Sequence, residues 1–231
     1  TSDATSVNIT LGPFERVAAI ANSSFLDGTP LKLHANAVLS DIALNYNLNS
    51  QILAIEELED VTPIVTLHAD LDYNDGLLAI HFSEPVDITP LALINLTLIK
   101  LVNRSGDANI VLQNCIKESI IDHFNFTLRL TELDRVELIV LSGTQGGDGS
   151  AVVLDVLAGA VRDIATNLNE ANLNIVVNET ADTTRPQLVS GLIDYNDGML
   201  TLNFSETVDT TPRNFVDLSK FVLVDNSPAG N

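Results

Sequence analysis

Residues 72–87 read DYNDGLLAIHFSEPVD and residues 194–209 read DYNDGMLTLNFSETVD, identical at 11 of 16 positions and offset by 122. Self-similarity at a fixed spacing constrains the fold more than any other signal here, because every copy must follow one structural plan. The likeness continues beyond the motif, with Leu101 and Val102 opposite Leu223 and Val224. Upstream, Thr62-Pro63 stands opposite Thr184-Arg185-Pro186, with one residue inserted. A second set of blocks lies in a different phase. Asp41-Ile42-Ala43, Asn45 and Asn47 recur as Asp163-Ile164-Ala165, Asn167 and Asn169, again 122 residues on. Phe14-Glu15-Arg16-Val17 is matched by Leu133-Asp134-Arg135-Val136, and Asn8-Ile9-Thr10-Leu11 by Asn125-Phe126-Thr127-Leu128. The chain therefore reads as the back half of a repeat (1–60), one whole repeat (61–182) and the front half of a third (183–231). Its ends fall at nearly the same phase. Two arrangements fit that: a piece of a longer tandem array, or a polymer subunit whose end halves complete one another head to tail.

Within a repeat the apolar residues alternate with polar ones. Leu78, Ile80 and Phe82 alternate with Ala79, His81 and Ser83; Leu200, Leu202 and Phe204 alternate with Thr201, Asn203 and Ser205. Phe124, Phe126, Leu128 and Leu130 follow the same rule. A period of two marks half-buried antiparallel strands. Asn74-Asp75-Gly76 and Asn196-Asp197-Gly198 separate such runs, as hairpin turns needing positive φ would. Strands are expected near 64–73, 77–84, 94–102, 109–116, 123–130, 151–157 and 172–178. The period changes at 132–141, which predicts a short helix with Thr131 as its N-cap. The glycine-rich run 143–150 reads as a flexible connection. Seven short strands with turn signals in about 120 residues predict an all-β fold, a β-sandwich with a short helical insertion.

FSEPVD and FSETVD, each followed by Thr-Pro, together with the later Asp-Ile-Ala-x-Asn block, resemble bacterial Ig-like domains of the SbsA surface-layer type. The family's Gly before that Asn is replaced here by Leu44 and Thr166. The resemblance spans nearly the whole chain and implies Ig-like repeats that serve as stalk, spacer or lattice modules of extracellular proteins.

Charge removes several classes of function. With 31 acidic and 11 basic residues the net charge is −20, so no basic face exists to displace counterions from nucleic acid or to bind an anionic membrane. No apolar run approaches the ~20 residues of a membrane helix. No nucleophile elbow, P-loop or dinucleotide fingerprint occurs, and paired carboxylates carry little weight in so acidic a chain. The residues shared by the copies account for themselves as strand, turn and core, so an enzyme is not expected.

The two turns offer oxygen ligands: Asp72, Asn74 and Asp75, and Asp194, Asn196 and Asp197, a set that could take calcium. The EF-type spacing is not met, because Gly76 falls one place late, and Leu192 replaces Asp70 in the second copy. Glu84 with Asp87, and Glu206 with Asp209, could likewise hold a cation at a domain junction. None of His34, His68, His81 and His123 stands at metal-ligand spacing to another or to Cys115, and Ser190 and Asn203 replace His68 and His81 in the second copy; no zinc site is expected. Cys115 is the only cysteine and fits a small core position. Glycosylation sequons occur at Asn8, Asn22, Asn95, Asn103, Asn125, Asn178 and Asn203, although polar strand faces generate Asn-x-Thr unaided because i and i+2 share a face.

Two functions fit these residues. The first is a non-enzymatic subunit of an extracellular filament or surface layer, partnered by copies of itself in a head-to-tail homopolymer and carrying covalent glycans. The second is a tandem Ig-like stalk segment of a larger cell-surface adhesin. A spacer beside a catalytic domain is a third, with nothing inside the chain to favour it.

Overall fold

The alternating residues of the complete repeat form strands whose apolar sides meet in one core. A computed structural model describes residues 5–37, 39–47, 51–104 and 108–224. In chain order the elements are α1 (Pro13–Ala21), β1 (Lys32–Ala35), β2 (Gln51–Ala54), β3 (Thr66–Asp72), β4 (Leu77–Val86), β5 (Ile99–Asn103), β6 (Asn109–Val111), β7 (Ile116–Lys117), β8 (His123–Arg129), α2 (Glu132–Val140), β9 (Val152–Val156), β10 (Asn172–Thr180), β11 (Leu188–Asp194) and β12 (Met199–Phe204). The chain divides into two compact units, Thr1–Asp182 and Thr183–Asn231. The break at 182 is also a break in the repeat, whereas 1–60 groups with the complete repeat.

In the first unit eight strands form one sheet, in the order β6-β5-β9-β10-β3-β4-β8-β7. Every neighbouring pair is antiparallel except β10 with β3, which run parallel from Val177↔Ala69 to Thr180↔Asp72. Leu71 of β3, Leu78 and Ile80 of β4, Leu101 of β5, Phe126 and Leu128 of β8, Leu154 of β9 and Ile175 of β10 are all buried in a single cluster. One sheet can bury residues from so many strands together only by curling around them. The architecture is thus all-β with few helices. The sheet is curled and mixed, and its two strand groups are joined through β10, which pairs with β9 over Asn172–Val176 and with β3 over Val177–Thr180.

Helix α2 begins as expected. Thr131 is its N-cap, with Oγ1 accepting from the Asp134 backbone N–H at 3.1 Å, which satisfies one of the donors a helix start leaves open. Leu138 enters the core, and Arg135 is buried beside it. The Arg135 guanidinium donates to the Tyr73 carbonyl at 2.8 Å and to Asp182 at 2.6 Å, joining the first turn of the repeat to its last residue.

Three stretches differ from expectation. Residues 96–98 form a 3₁₀ turn because the Asn95 side chain accepts from Thr97 N–H at 3.2 Å, a local bond that competes with the strand ladder. Leu112–Asn114 is a second 3₁₀ turn that splits the strand expected over 109–116. The glycine-rich run after α2 is folded back onto the helix end: Asp148 N–H donates to the Val140 carbonyl and Gly149 N–H to Ser142. A Cβ on Gly147 would lie 2.1 Å from the Ser142 carbonyl oxygen, so the close approach requires glycine.

The described part of 1–60 repeats the second half of the complete repeat. Helix α1 matches α2, and β1 pairs with β2 in the register of β9 with β10: Leu33↔Leu53 answers Leu154↔Ile175. Asp41 Oδ1 accepts from Asn45 N–H at 2.9 Å as Asp163 Oδ1 does from Asn167 at 2.8 Å. At the position where the resembled family has glycine, Leu44 and Thr166 both take left-handed backbone, φ 66° and 74°.

The second unit repeats the first half. The β11–β12 hairpin copies β3–β4 down to its irregularity: Leu192↔Thr201 answers Asp70↔Ala79, and the register shifts at Leu188/Ser190 as at Thr66/His68. Two 3₁₀ turns follow, Arg213–Phe215 and Leu218–Lys220, like Leu91–Leu93 and Leu96–Leu98.

Candidate functional site

The described parts of 1–60 and 183–231 match different halves of the complete repeat. In the complete repeat the β3–β4 hairpin sits between β10 and β8. In 5–60 the strand matching β10 ends four residues earlier: β2 stops at Ala54, whereas β10 runs on through the residues matching Ile55–Leu58. Those four, Val177–Thr180, are the ones that pair with β3. The segment matching β8, around Ile9 and Leu11, forms no strand and is exposed. Leu33 and Leu53 are 54% and 65% exposed, although their counterparts Leu154 and Ile175 are core residues.

A tyrosine anchors the β3–β4 hairpin in the complete repeat. Tyr73 is fully buried, and its hydroxyl donates to Glu179 Oε1 at 2.7 Å. Burial and the neighbouring Glu179 carboxylate push the phenol well above the usual tyrosine range. Glu179 Oε2 in turn accepts from the N–H groups of Gly143 and Val152 at 3.3 Å. The half-repeat keeps the acceptor side. Glu57 accepts from Ser24 N–H at 3.0 Å, from the Ser24 hydroxyl, and from Leu31 N–H at 3.0 Å, and these bonds hold its carboxyl below the usual range. Beside it lies a pocket of about 230 Å³ lined by Ala19, Ile20, Ser23 and Glu57 among others, larger than the ~150 Å³ that admits a benzene ring. Tyr195, the counterpart of Tyr73, is 87% exposed.

The turn oxygens named from the sequence serve the turns. Asp72 Oδ1 accepts from Asn74 N–H at 2.9 Å and from its amide at 2.7 Å, and Asp75 Oδ1 accepts from Leu77 N–H. Asp194, Asn196 and Asp197 repeat these bonds. Among the described residues the groupings able to share an ion lie elsewhere, at Asp60, Glu84 and Asp163 and at His68, Asp70 and His81. Glu84 is therefore not joined to Asp87, whose carboxylate instead pairs with Arg162 at 2.7 Å. Glu84 faces Asp163 and Asp60, with the Arg16 guanidinium bonded to Asp60 and 3.5 Å from Glu84. Asp209 accepts from Thr211 N–H at 2.9 Å.

Of the sequon asparagines, Asn8, Asn22, Asn95, Asn178 and Asn203 are exposed and Asn125 is partly exposed. Asn103 is buried, with its amide donating to the Leu141 carbonyl at 3.1 Å and to Asp148 at 2.6 Å, so it presents no accessible nitrogen to a sugar. Cys115 is a buried core residue, and burial pushes its thiol up to about 12. No described helix is long and apolar enough to cross a membrane.

Chain spacing conceals the histidine grouping. His68 and His81 are 13 residues apart, but the β3–β4 register sets them directly opposite each other. Their rings stack with centroids 4.3 Å apart and planes 6° from parallel. His81 Nε2 lies 2.9 Å and His68 Nε2 3.9 Å from Asp70 Oδ2. Asn178 donates to Asp70 Oδ1 at 2.7 Å, and that bond, with the two imidazoles, holds the Asp70 carboxyl below its usual range. The hairpin register was the signal that could have found this group.

No family model matches the chain, and no curated protein does. Among solved structures, the N-terminal part of the bacterial S-layer protein SbsC is similar at 12% identity and a TM-score of 0.36, over 62% of this chain and 31% of that one. The chain thus spans less than a third of that neighbour.

Proposed function

We propose that the protein is a non-enzymatic structural component of an extracellular surface layer or filament, in which residues 183–224 of one copy complete the half-repeat 5–60 of the next. The observation that carries this reading is the shared register of the incomplete repeats with the complete one, together with the exposure of the residues that the complete repeat buries. Superimposing the repeat offset on β10–β3 pairs Ile55 with Gly191, Glu56 with Leu192, Glu57 with Ile193 and Leu58 with Asp194, in parallel. On β4–β8, the offset of 122 for β4 and of 117 for the Asn8–Leu11 block set Leu200 against Leu11 and Leu202 against Ile9. Tyr195 then enters the pocket beside Glu57. Strand addition supplies backbone hydrogen bonds to otherwise open edges, and the contact is heterologous, so it propagates from copy to copy. Extracellular placement follows the resemblance to surface-layer repeats and the exposed sequons.

The test uses the full chain with Cys115→Ser, carrying Glu56→Cys and Leu192→Cys. Neighbouring strands lie ~4.8 Å apart, inside the Cα separation that a disulfide spans. Mild oxidation is expected to give a ladder of covalent oligomers, and Tyr195→Ala is expected to reduce it at least tenfold. Strictly monomeric particles at high concentration in light scattering and negative-stain images, or a disulfide closed within one chain, would overturn the proposal.

A further inference from the structure

We infer that His68, His81 and Asp70 form a binding site for a zinc-like divalent transition-metal ion on the outer face of the β3–β4 hairpin. All three side chains alternate with buried Ala69, Leu71 and Ile80, so they share one face of the sheet. Their ligand atoms lie within 4.8 Å of one another. Zinc holds nitrogen and carboxylate ligands at ~2.0–2.2 Å, which places two donors on one ion roughly 3–3.5 Å apart. His81 Nε2 lies 2.9 Å and His68 Nε2 3.9 Å from Asp70 Oδ2, and the stacked imidazoles turn about their side-chain torsions to bring both in-plane lone pairs onto one ion.

Two further features favour a metal over a plain polar cluster. His81 Nε2 is inaccessible to solvent and its 2.9 Å approach is to a carboxylate oxygen of Asp70, so a nitrogen and an oxygen ligand atom already face each other. Asp70 is oriented from behind by Asn178 on the neighbouring strand β10, so Oδ2 faces the imidazoles while Oδ1 is held. Such outer contacts fix the first ligands of metal sites. Two imidazoles and one carboxylate suit zinc, copper or nickel and not calcium or magnesium, which want all-oxygen sets. Three protein ligands leave a fourth position for water or a group from another molecule. The second hairpin supplies an internal comparison: Ser190 and Asn203 occupy the histidine positions and simply bond to each other at 2.9 Å, with Leu192 in place of Asp70.

The test is zinc titration of the chelator-treated full chain by calorimetry at pH 7.5, with cobalt absorption as a second probe. One high-affinity ion per chain is expected. His68→Ser and His81→Asn, the residues of the second hairpin, are each expected to weaken binding at least tenfold, and Asn178→Ala by about tenfold. His34→Asn and Glu84→Gln should leave it unchanged. On the unaltered chain, zinc should shift the imidazole resonances of His68 and His81 but not those of His34 and His123. No uptake, unchanged affinity in both histidine variants, or unmoved His68 and His81 resonances would overturn the inference.

Discussion

Glu84, Asp163 and Asp60 bring three carboxylates within 4.8 Å, with the half-exposed Arg16 as the cation beside them. Desolvation, and then the charges of Asp163 and Asp60, push the Glu84 carboxyl above its usual range; desolvation is also the main cause raising Asp163. A folded state with raised carboxyl values binds protons that the unfolded state does not. Stability therefore grows as pH falls from neutral through the raised values toward the ordinary 4.5 and 3.8, and is lost in the opposite direction. Glu84→Gln is expected to raise the urea midpoint at pH 7 and to flatten the gain between pH 7 and pH 5, measured by denaturant unfolding at both. None of this grouping was legible from residue spacing, because Asp60, Glu84 and Asp163 come from three distant segments. The exchange of glycine for Leu44 and Thr166 was visible in the sequence. Its consequence was not: both residues accept the left-handed backbone that glycine would take without a Cβ clash.

At the scale of the elements, α2 and the turn behind it act together. The Gly147 backbone is pressed against the carbonyls of Ser142 and Ile139, which would stand 2.1 Å and 2.7 Å from an added Cβ. These are backbone atoms with little freedom to move. Gly147→Ala is expected to destabilise the first unit by about 1–3 kcal/mol, read as a fall in thermal midpoint; Gly149→Ala meets no neighbouring atom, but its left-handed φ of +87° favours glycine, so it too is expected to destabilise, by about 1–2 kcal/mol. The alternation of Leu78, Ile80 and Phe82 was enough to place β4, and Thr131 to place α2, since period and cap are local. The 3₁₀ turn after Asn95 and the folded-back glycine run depend on single side-chain or backbone contacts that pattern alone does not encode. The single curled sheet was hidden for a different reason. Strand order depends on which edges meet, and the parallel pairing of β10 with β3 joins residues 108 apart. The repeat, by contrast, was legible in the sequence: an offset of 122 aligns β2 with β10 and β11–β12 with β3–β4, and one of 117 aligns Asn8–Leu11 with Asn125–Leu128.

Across the whole molecule, a net charge of −20 sets every copy against every other. In the assembly proposed above, apolar contacts of Leu33, Leu53 and Tyr195 would have to overcome that repulsion, which is screened over ~10 Å at 0.1 M salt. Raising sodium chloride from about 20 mM to about 300 mM is expected to shift sedimentation toward larger species; a shift toward monomer would mean that opposite charges, not apolar faces, hold copies together. The parallel pair in the middle of the first unit has a mechanical consequence. β3 opens the complete repeat and β10 closes it, side by side and pointing the same way, with Tyr73 N–H also bonded to the Thr180 carbonyl at 3.0 Å. Tension applied at residues 61 and 182 would drag these strands past one another lengthwise. Their cross-links would all be strained at once in shear instead of unzipping in turn, a geometry suited to a module that bears load.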